Sequence, residues 1–399
     1  MRNPERPHEP MKYPIGVQSF EEMRTDTWLY VDKTRYVETL IRGSKYYFLG
    51  RPRRFGKSLF LSMLKCFFEG KRALFEGLYI DSIEWDWAEY PVFYLDINAN
   101  SYGSKEDLDD VLRNHIERWE SAYGGRTSTV DNLSVRFSNV IRRAHEITGR
   151  QVVVLVDEYD KPLVNSLQDN ELYDYFQATL SGFYANFKSS ADHLRLVFLT
   201  GVSRFGKVSV FSGLNNISDI TFDKNFQAVC GITEEELICN FQEGIKNLAS
   251  AEQLPEEELV MKLRRYYDGY RFVRRGERLY NPFSLLNVMA KEEFSDYWIE
   301  SGTPTLLVNQ LQRYDLNLES VVNSKVPVSE LSGIDFDSPN IEALLYQTGY
   351  VTIKDYDSNF DEVTLGLPNL EVKRGFMSLI PQNSAHSQTG KFVGDGNNE

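Results

Sequence analysis

The chain has 399 residues, 42% of them hydrophobic, with 25 Phe, 23 Tyr and a formal net charge of −14 at pH 7. That apolar supply is ample for a core and excludes a largely disordered chain; the acidic balance excludes a protein whose whole surface tracks nucleic acid, leaving only a local basic patch for such a partner. Three cysteines argue against a disulfide framework, and no apolar run approaches membrane-spanning length, so the expected setting is the reducing cytoplasm.

In chain order, residues 1–10 are polar and proline-rich and read as a disordered tail, with Met11 as an alternative start. A short apolar strand over 45–49 then runs into Arg51-Pro52-Arg53-Arg54-Phe55-Gly56-Lys57-Ser58, and a buried helix follows from Leu59. A strand, a tight loop ending in Gly-Lys-Ser and a helix form the context of the Walker A phosphate-binding loop. Amides at a helix start favour an anion, the lysine reaches the terminal phosphates, and the serine hydroxyl can ligate Mg²⁺. The candidate nucleotide-binding residues are therefore Arg53, Arg54, Gly56, Lys57, Ser58 and Leu59. Arg51 stands where the pattern wants its first glycine. Three arginines and Lys57 crowd the loop with positive charge, which suits a triphosphate because guanidinium forks pair with phosphate oxygens. One of Arg53 and Arg54 is expected on phosphate, with Arg54 ahead because it lies nearer Gly56.

A second strand over 92–97 and a long helical stretch (105–123 and 133–148) lead to Val152-Val153-Val154-Leu155-Val156-Asp157-Glu158. Such an aliphatic run suits a parallel strand buried on both faces. Its acidic end supplies the partner that a phosphate loop requires: Asp157 to hold Mg²⁺ through water and Glu158 to polarise an attacking water. The next strand, 194–199, ends in Thr200, a polar residue placed to sense the terminal phosphate or orient water; Ser203 and Arg204 are lesser candidates. A repeat of the loop signature, Arg204-Phe205-Gly206-Lys207, is followed by Val208 and no helix pattern, and reads as coincidence. A last strand is expected over 217–222. Strands alternating with helical patterns predict an α/β fold, a P-loop NTPase whose parallel sheet is flanked by crossover helices.

From Gly231 the texture changes. Thr233-Glu234-Glu235-Glu236 caps a helix over 234–247, another is expected over 256–267, and Tyr280-Asn281-Pro282 starts a third. The division is a disordered tail (1–10), a core (11–230), a helical lid (231–310), a small mixed C-terminal segment (311–373) and a disordered tail (374–399). Five scattered histidines offer no zinc site or histidine triad, Cys66, Cys230 and Cys239 lack metal spacing, and no Gly-x-Gly-x-x-Gly fingerprint appears.

The chain resembles the bacterial AAA-ATPase-like family along most of its length. The resemblance is carried by Tyr13-Pro14-Ile15-Gly16, Tyr30-Val31-Asp32-Lys33-Thr34, the arginine-rich loop 48–58, Val156-Asp157-Glu158-Tyr159-Asp160-Lys161-Pro162, Leu199-Thr200-Gly201-Val202-Ser203, Tyr267-Asp268-Gly269-Tyr270 and Tyr280-Asn281-Pro282-Phe283-Ser284. It implies an ATP-binding core with Lys57 and Ser58 on phosphate and Mg²⁺, and Asp157 and Glu158 as the Walker B acids. Asp32-Lys33-Thr34 either lines the nucleotide edge or caps a surface helix. Family members often carry a C-terminal restriction-endonuclease-like domain; no Glu-x-Lys strand appears beyond Phe376, so this copy is expected to lack it. The leading expectation is an Mg-dependent ATPase that couples nucleotide state to conformational change; ATP is the expected ligand, a protein partner or self-association stays open, and no membrane is expected. The alternatives are a nucleotide-binding scaffold with little hydrolysis and a remnant of an ATPase–nuclease fusion acting on nucleic acid.

Overall fold

The computed structural model describes residues 12–98, 101–126, 129–202, 216–301, 307, 319–333 and 340–377. Five parallel strands, β1 (Tyr46–Gly50), β2 (Val92–Asp96), β3 (Val152–Asp157), β4 (Leu194–Gly201) and β5 (Ser218–Asp219), form one sheet in the order β2-β3-β4-β1-β5. β3 is buried along its whole length, as its unbroken aliphatic run requires. The register aligns Asp96 with Asp157, Val156 with Leu199, and Leu49 with Thr200. The carboxyl ends of β1, β4, β3 and β2 therefore lie in one row. In this order β4 separates β1, which leads into the arginine-rich loop, from the acidic end of β3 and puts Thr200 between them.

Local chemistry fixes the helices. Gly56, with φ +100°, takes the left-handed conformation that starts helix Lys57–Phe68. Asn132 caps helix Leu133–Thr148 through the Val135 amide, and Asp169 caps Asn170–Tyr184 through that of Leu172. Thr233 and Glu236 form a reciprocal capping box. The helix expected over 234–247 is two, Glu234–Asn240 and Gln242–Glu252, which turn at Phe241 so that its ring stays fully buried. Helices Glu256–Tyr267 and Pro282–Lys291 complete a second apolar core with Leu237, Leu248, Leu263 and Leu285.

The C-terminal part builds an antiparallel sheet, β6 (Lys325–Pro327), β7 (Thr352–Asp357) and β8 (Glu362–Gly366), in the order β6-β8-β7, with helix Ile341–Thr348 against the turn Val328–Ser332 that follows β6. Its residues share one core with the parallel sheet, and Phe55 of the loop after β1 meets Tyr270 and Phe272 edge-on at 4.8 and 5.2 Å. Two expectations need correction. The strand expected over 217–222 is only the two-residue β5. The tail expected from 374 begins inside a helix over 370–377, whose Glu371 is buried between Ser284 and the Trp298 amide. The proposed 1–10 tail, Ser203, Arg204 and the second Arg-Phe-Gly-Lys lie outside the described residues.

Candidate nucleotide site

Between β1 and helix Lys57–Phe68 the loop curls tightly, with Arg54 at φ +68° and Gly56 at φ +100°. Positive φ at non-glycine Arg54 is sparsely populated backbone, held only where the surroundings over-determine it. Lys57 is buried, and its Nζ donates to the carbonyl oxygens of Arg51 (3.0 Å) and Pro52 (3.2 Å). It also lies 3.8 Å from Glu158 Oε1. Ser58 and Leu59 follow, half-buried, in the first helical turn.

The three arginines have three different fates. Arg51 is 1% exposed; its guanidinium donates to Gly50 O (2.8 Å), Thr221 O (2.9 Å) and Phe226 O (3.2 Å) and lies over the Phe272 ring at 4.4 Å. Burial pulls its pKa down, yet a guanidinium stays charged in proteins. Arg51 thus pins the start of the loop to the stretch 221–226 that follows β5. Arg53, half-buried, donates to Ser301 Oγ at 3.3 Å, while its own carbonyl accepts from Trp298 Nε1 at 3.2 Å. Arg54 is exposed and stacks its guanidinium over Phe283 at 4.9 Å. A Cβ on Gly349, itself at φ +90°, would come within 2.9 Å of Pro52 Cβ, so the C-terminal segment approaches the loop closely. Each residue from 51 to 54 is thus held by the second half of the chain.

At the end of β3, Asp157 is 4% exposed. Its Oδ1 accepts from Thr200 Oγ1 at 2.7 Å and its Oδ2 from Tyr94 Oη at 3.2 Å. Thr200 Oγ1 also accepts the Glu158 amide at 3.4 Å, and Glu158 stands at φ +56°. Asp157, Glu158, Thr200 and Lys57 are therefore brought together as the sequence expected. Sequence reasoning missed Tyr94 and Asp96. Their strand also ends apolar-to-acid, the signal used for β3. Burial, then the Asp157 and Glu158 charges, raises the Asp96 pKa above the usual carboxylate range. Burial and the Asp157 carboxylate likewise hold the Tyr94 phenol protonated.

These groups fit a hydrated Mg²⁺. Asp157 has no Lys or Arg within ion-pair distance among the described residues, and the repulsion felt at Asp96 marks an excess of negative charge. Ser58 and Asp157 offer the hard oxygen donors that Mg²⁺ prefers. No group of three or more His, Cys, Asp or Glu side chains placed to hold a metal ion forms among the described residues.

Beside Gly56 lies an apolar cavity of about 90 Å³, several times the space one water needs. Tyr30, Leu59, Phe60, Cys230, Ile232 and Leu286 line it, drawn from the N-terminal segment, the helix after the loop and the stretch 230–286. Lys33 also borders it; its Nζ is bound to Glu236 (2.6 and 2.7 Å) and Ala228 O (2.9 Å). Asp32 and Thr34 turn away, accepting the amides of Tyr79 and Ile80. The motif Asp32-Lys33-Thr34 is thus divided between the cavity edge and a structural turn.

A family model described as "Predicted AAA-ATPase" matches residues 14–211. A protein of Azotobacter chroococcum mcd 1, named "Uncharacterized protein in vnfD 5'region", is 38% identical over 366 residues, covering 91% of this chain and 68% of that protein. Among solved structures, the Aeropyrum pernix ORC2 protein in ADPNP–ADP complexes overlaps at a TM-score of 0.30 with 11% identity, over 97% of each chain. The Aeropyrum pernix ORC1 protein in complex with DNA overlaps at 0.31 with 11% identity, over 87% of this chain and 91% of that one. No helix of the described residues is long and apolar enough to cross a membrane.

Proposed function

The chain belongs to the predicted AAA-ATPase family, and on that footing we propose that it binds ATP with Mg²⁺ at the Arg51–Leu59 loop, hydrolyses it, and couples nucleotide state to conformation. The observation that carries this reading is the 3.8 Å approach of Lys57 Nζ to Glu158 Oε1, which joins the end of the basic loop to the end of the acidic strand. Lys57, resting on loop carbonyls, turns to the phosphates when they arrive, and the amides from Gly56 to Leu59 cradle them. The apolar cavity beside Gly56 takes the base, a flat ring suited to apolar walls next to a phosphate cradle. Mg²⁺ supplies charge neutralisation of the phosphates; Ser58 and Asp157 hold it. Glu158 accepts a proton from the attacking water, and Thr200 fixes the Asp157–Glu158 corner.

Coupling is supported by the contacts of Phe272, Phe283, Trp298, Ser301 and Gly349 with the loop, since a loop that reshapes around phosphate must displace them. ATP turnover by the wild type and by Glu158→Gln tests the reading. The expected result is retained binding with hydrolysis slowed by about 10²–10⁴, the range for loss of a general base. Equal rates would contradict the role of Glu158, and binding without any wild-type turnover would leave a nucleotide-binding scaffold.

A further inference from the structure

We propose that Tyr94 is a positioning residue for the Mg²⁺-binding carboxylate of Asp157, an inference that rests on the nucleotide-site reading above. β3 lies between β2 and β4, and each neighbour sends one hydroxyl to the same carboxylate. Thr200, beside Asp157 across the β3–β4 register, donates to Oδ1 at 2.7 Å; Tyr94, two residues before Asp96 and on its face, donates to Oδ2 at 3.2 Å. A carboxylate oxygen has about two lone-pair sites, so each hydroxyl occupies one and leaves one for a metal-bound water. With both oxygens held, the carboxyl plane cannot rotate. Asp157 needs this restraint, because it has no ion-pair partner among the described residues and stands opposite Asp96 in the β2–β3 register and next to Glu158 in the chain. Partners that orient a metal-binding group commonly change metal affinity when removed.

The test is the Mg²⁺ dependence of binding of a non-hydrolysable ATP analogue, measured by calorimetry on wild type, Tyr94→Phe, Asp157→Asn and the double variant. Tyr94→Phe removes one oxygen from a half-buried ring, and metal-free nucleotide affinity doubles as the check that it folds. The expected result is a rise of about tenfold in the Mg²⁺ concentration for half-saturation, at the lower end of the ~10–100-fold range for such partners because the bond is long. Metal-free affinity stays unchanged, and the Tyr94→Phe effect disappears in the Asp157→Asn background. Unchanged Mg²⁺ half-saturation, an equal loss of metal-free affinity, or full additivity in the double variant overturns the positioning role. A wild type that binds the analogue without any Mg²⁺ dependence overturns the underlying metal-site reading, and the proposal with it.

Discussion

Arg51, Arg53 and Arg54 lie within four residues and are chemically identical, yet burial and different partners give them different work. Arg51 spends its guanidinium on three carbonyls and a ring inside the protein, so it cannot reach a ligand. Spacing put Arg54 ahead of Arg53 for phosphate, but it does not say which of the three side chains turns inward. The two others differ in what they must give up to meet phosphate. Arg54 leaves only an exposed stack on Phe283, a contact of roughly 0.5–1 kcal/mol. Arg53 would leave a hydrogen bond in a half-buried position from which burial already disfavours its charge. We therefore expect Arg54→Ala to weaken ATP binding by about 1.5–3 kcal/mol, the value of a charge-assisted bond, and Arg53→Ala by less than roughly threefold. Titration calorimetry on the two single variants decides it; equal, small losses would make both arginines bystanders.

Elements with long, regular periodicity were legible. Helix Leu133–Thr148 has the expected bounds, and β3 runs one residue past its expectation. The break at Phe241 was not legible, since an aromatic residue fits either a continuous helix or a buried turn. Nor was the 370–377 helix, whose inward face carries a glutamate where a period-based reading wants an apolar residue. That glutamate makes the helix pH-sensitive. Burial above all pushes the Glu371 carboxyl up from 4.5 to about 8, against the opposing bonds from Trp298 and Ser284. Between those values the native chain keeps a proton that the unfolded chain has released, so stability falls as pH rises from about 4.5 to about 8. The loss is of the order of a few kcal/mol. Urea melts across this range should show Glu371→Gln losing less stability than wild type; parallel slopes would contradict it. Helix Glu234–Asn240 is tied to the N-terminal segment by the largely buried pair Lys33–Glu236. Lys33→Met leaves the carboxylate and the Ala228 carbonyl without their partner and should destabilise by about 2–3 kcal/mol, below the ~3–5 of a fully buried pair because Glu236 keeps some water contact. A melt unchanged within ~0.5 kcal/mol, the usual span of surface substitutions, would show the pair is neutral.

Across the whole molecule, the sheet order and the site belong together. The loop strand, the Thr200 strand, the acidic strand and the strand of Tyr94 and Asp96 stand side by side with their carboxyl ends level, where ligands of open α/β sheets bind. The loop, the acidic pair and Thr200 were legible because each ends an apolar run in a chemically distinctive residue. The cover over the loop was not, because Phe272, Trp298 and Gly349 lie more than 200 residues away in sequence and meet it only through tertiary packing. The same cover is the ground on which we propose that phosphate binding at the loop is felt by the C-terminal segment. All of this depends on nucleotide entering the loop and meeting Lys57. The most direct measurement is calorimetric titration of ATP, with Mg²⁺, into wild type and Lys57→Ala, with a thermal melt confirming that the variant is folded. The account predicts saturable binding by wild type and a loss of more than about 100-fold, or ~2.8 kcal/mol, in Lys57→Ala. A folded Lys57→Ala protein that binds ATP as tightly as wild type would contradict it.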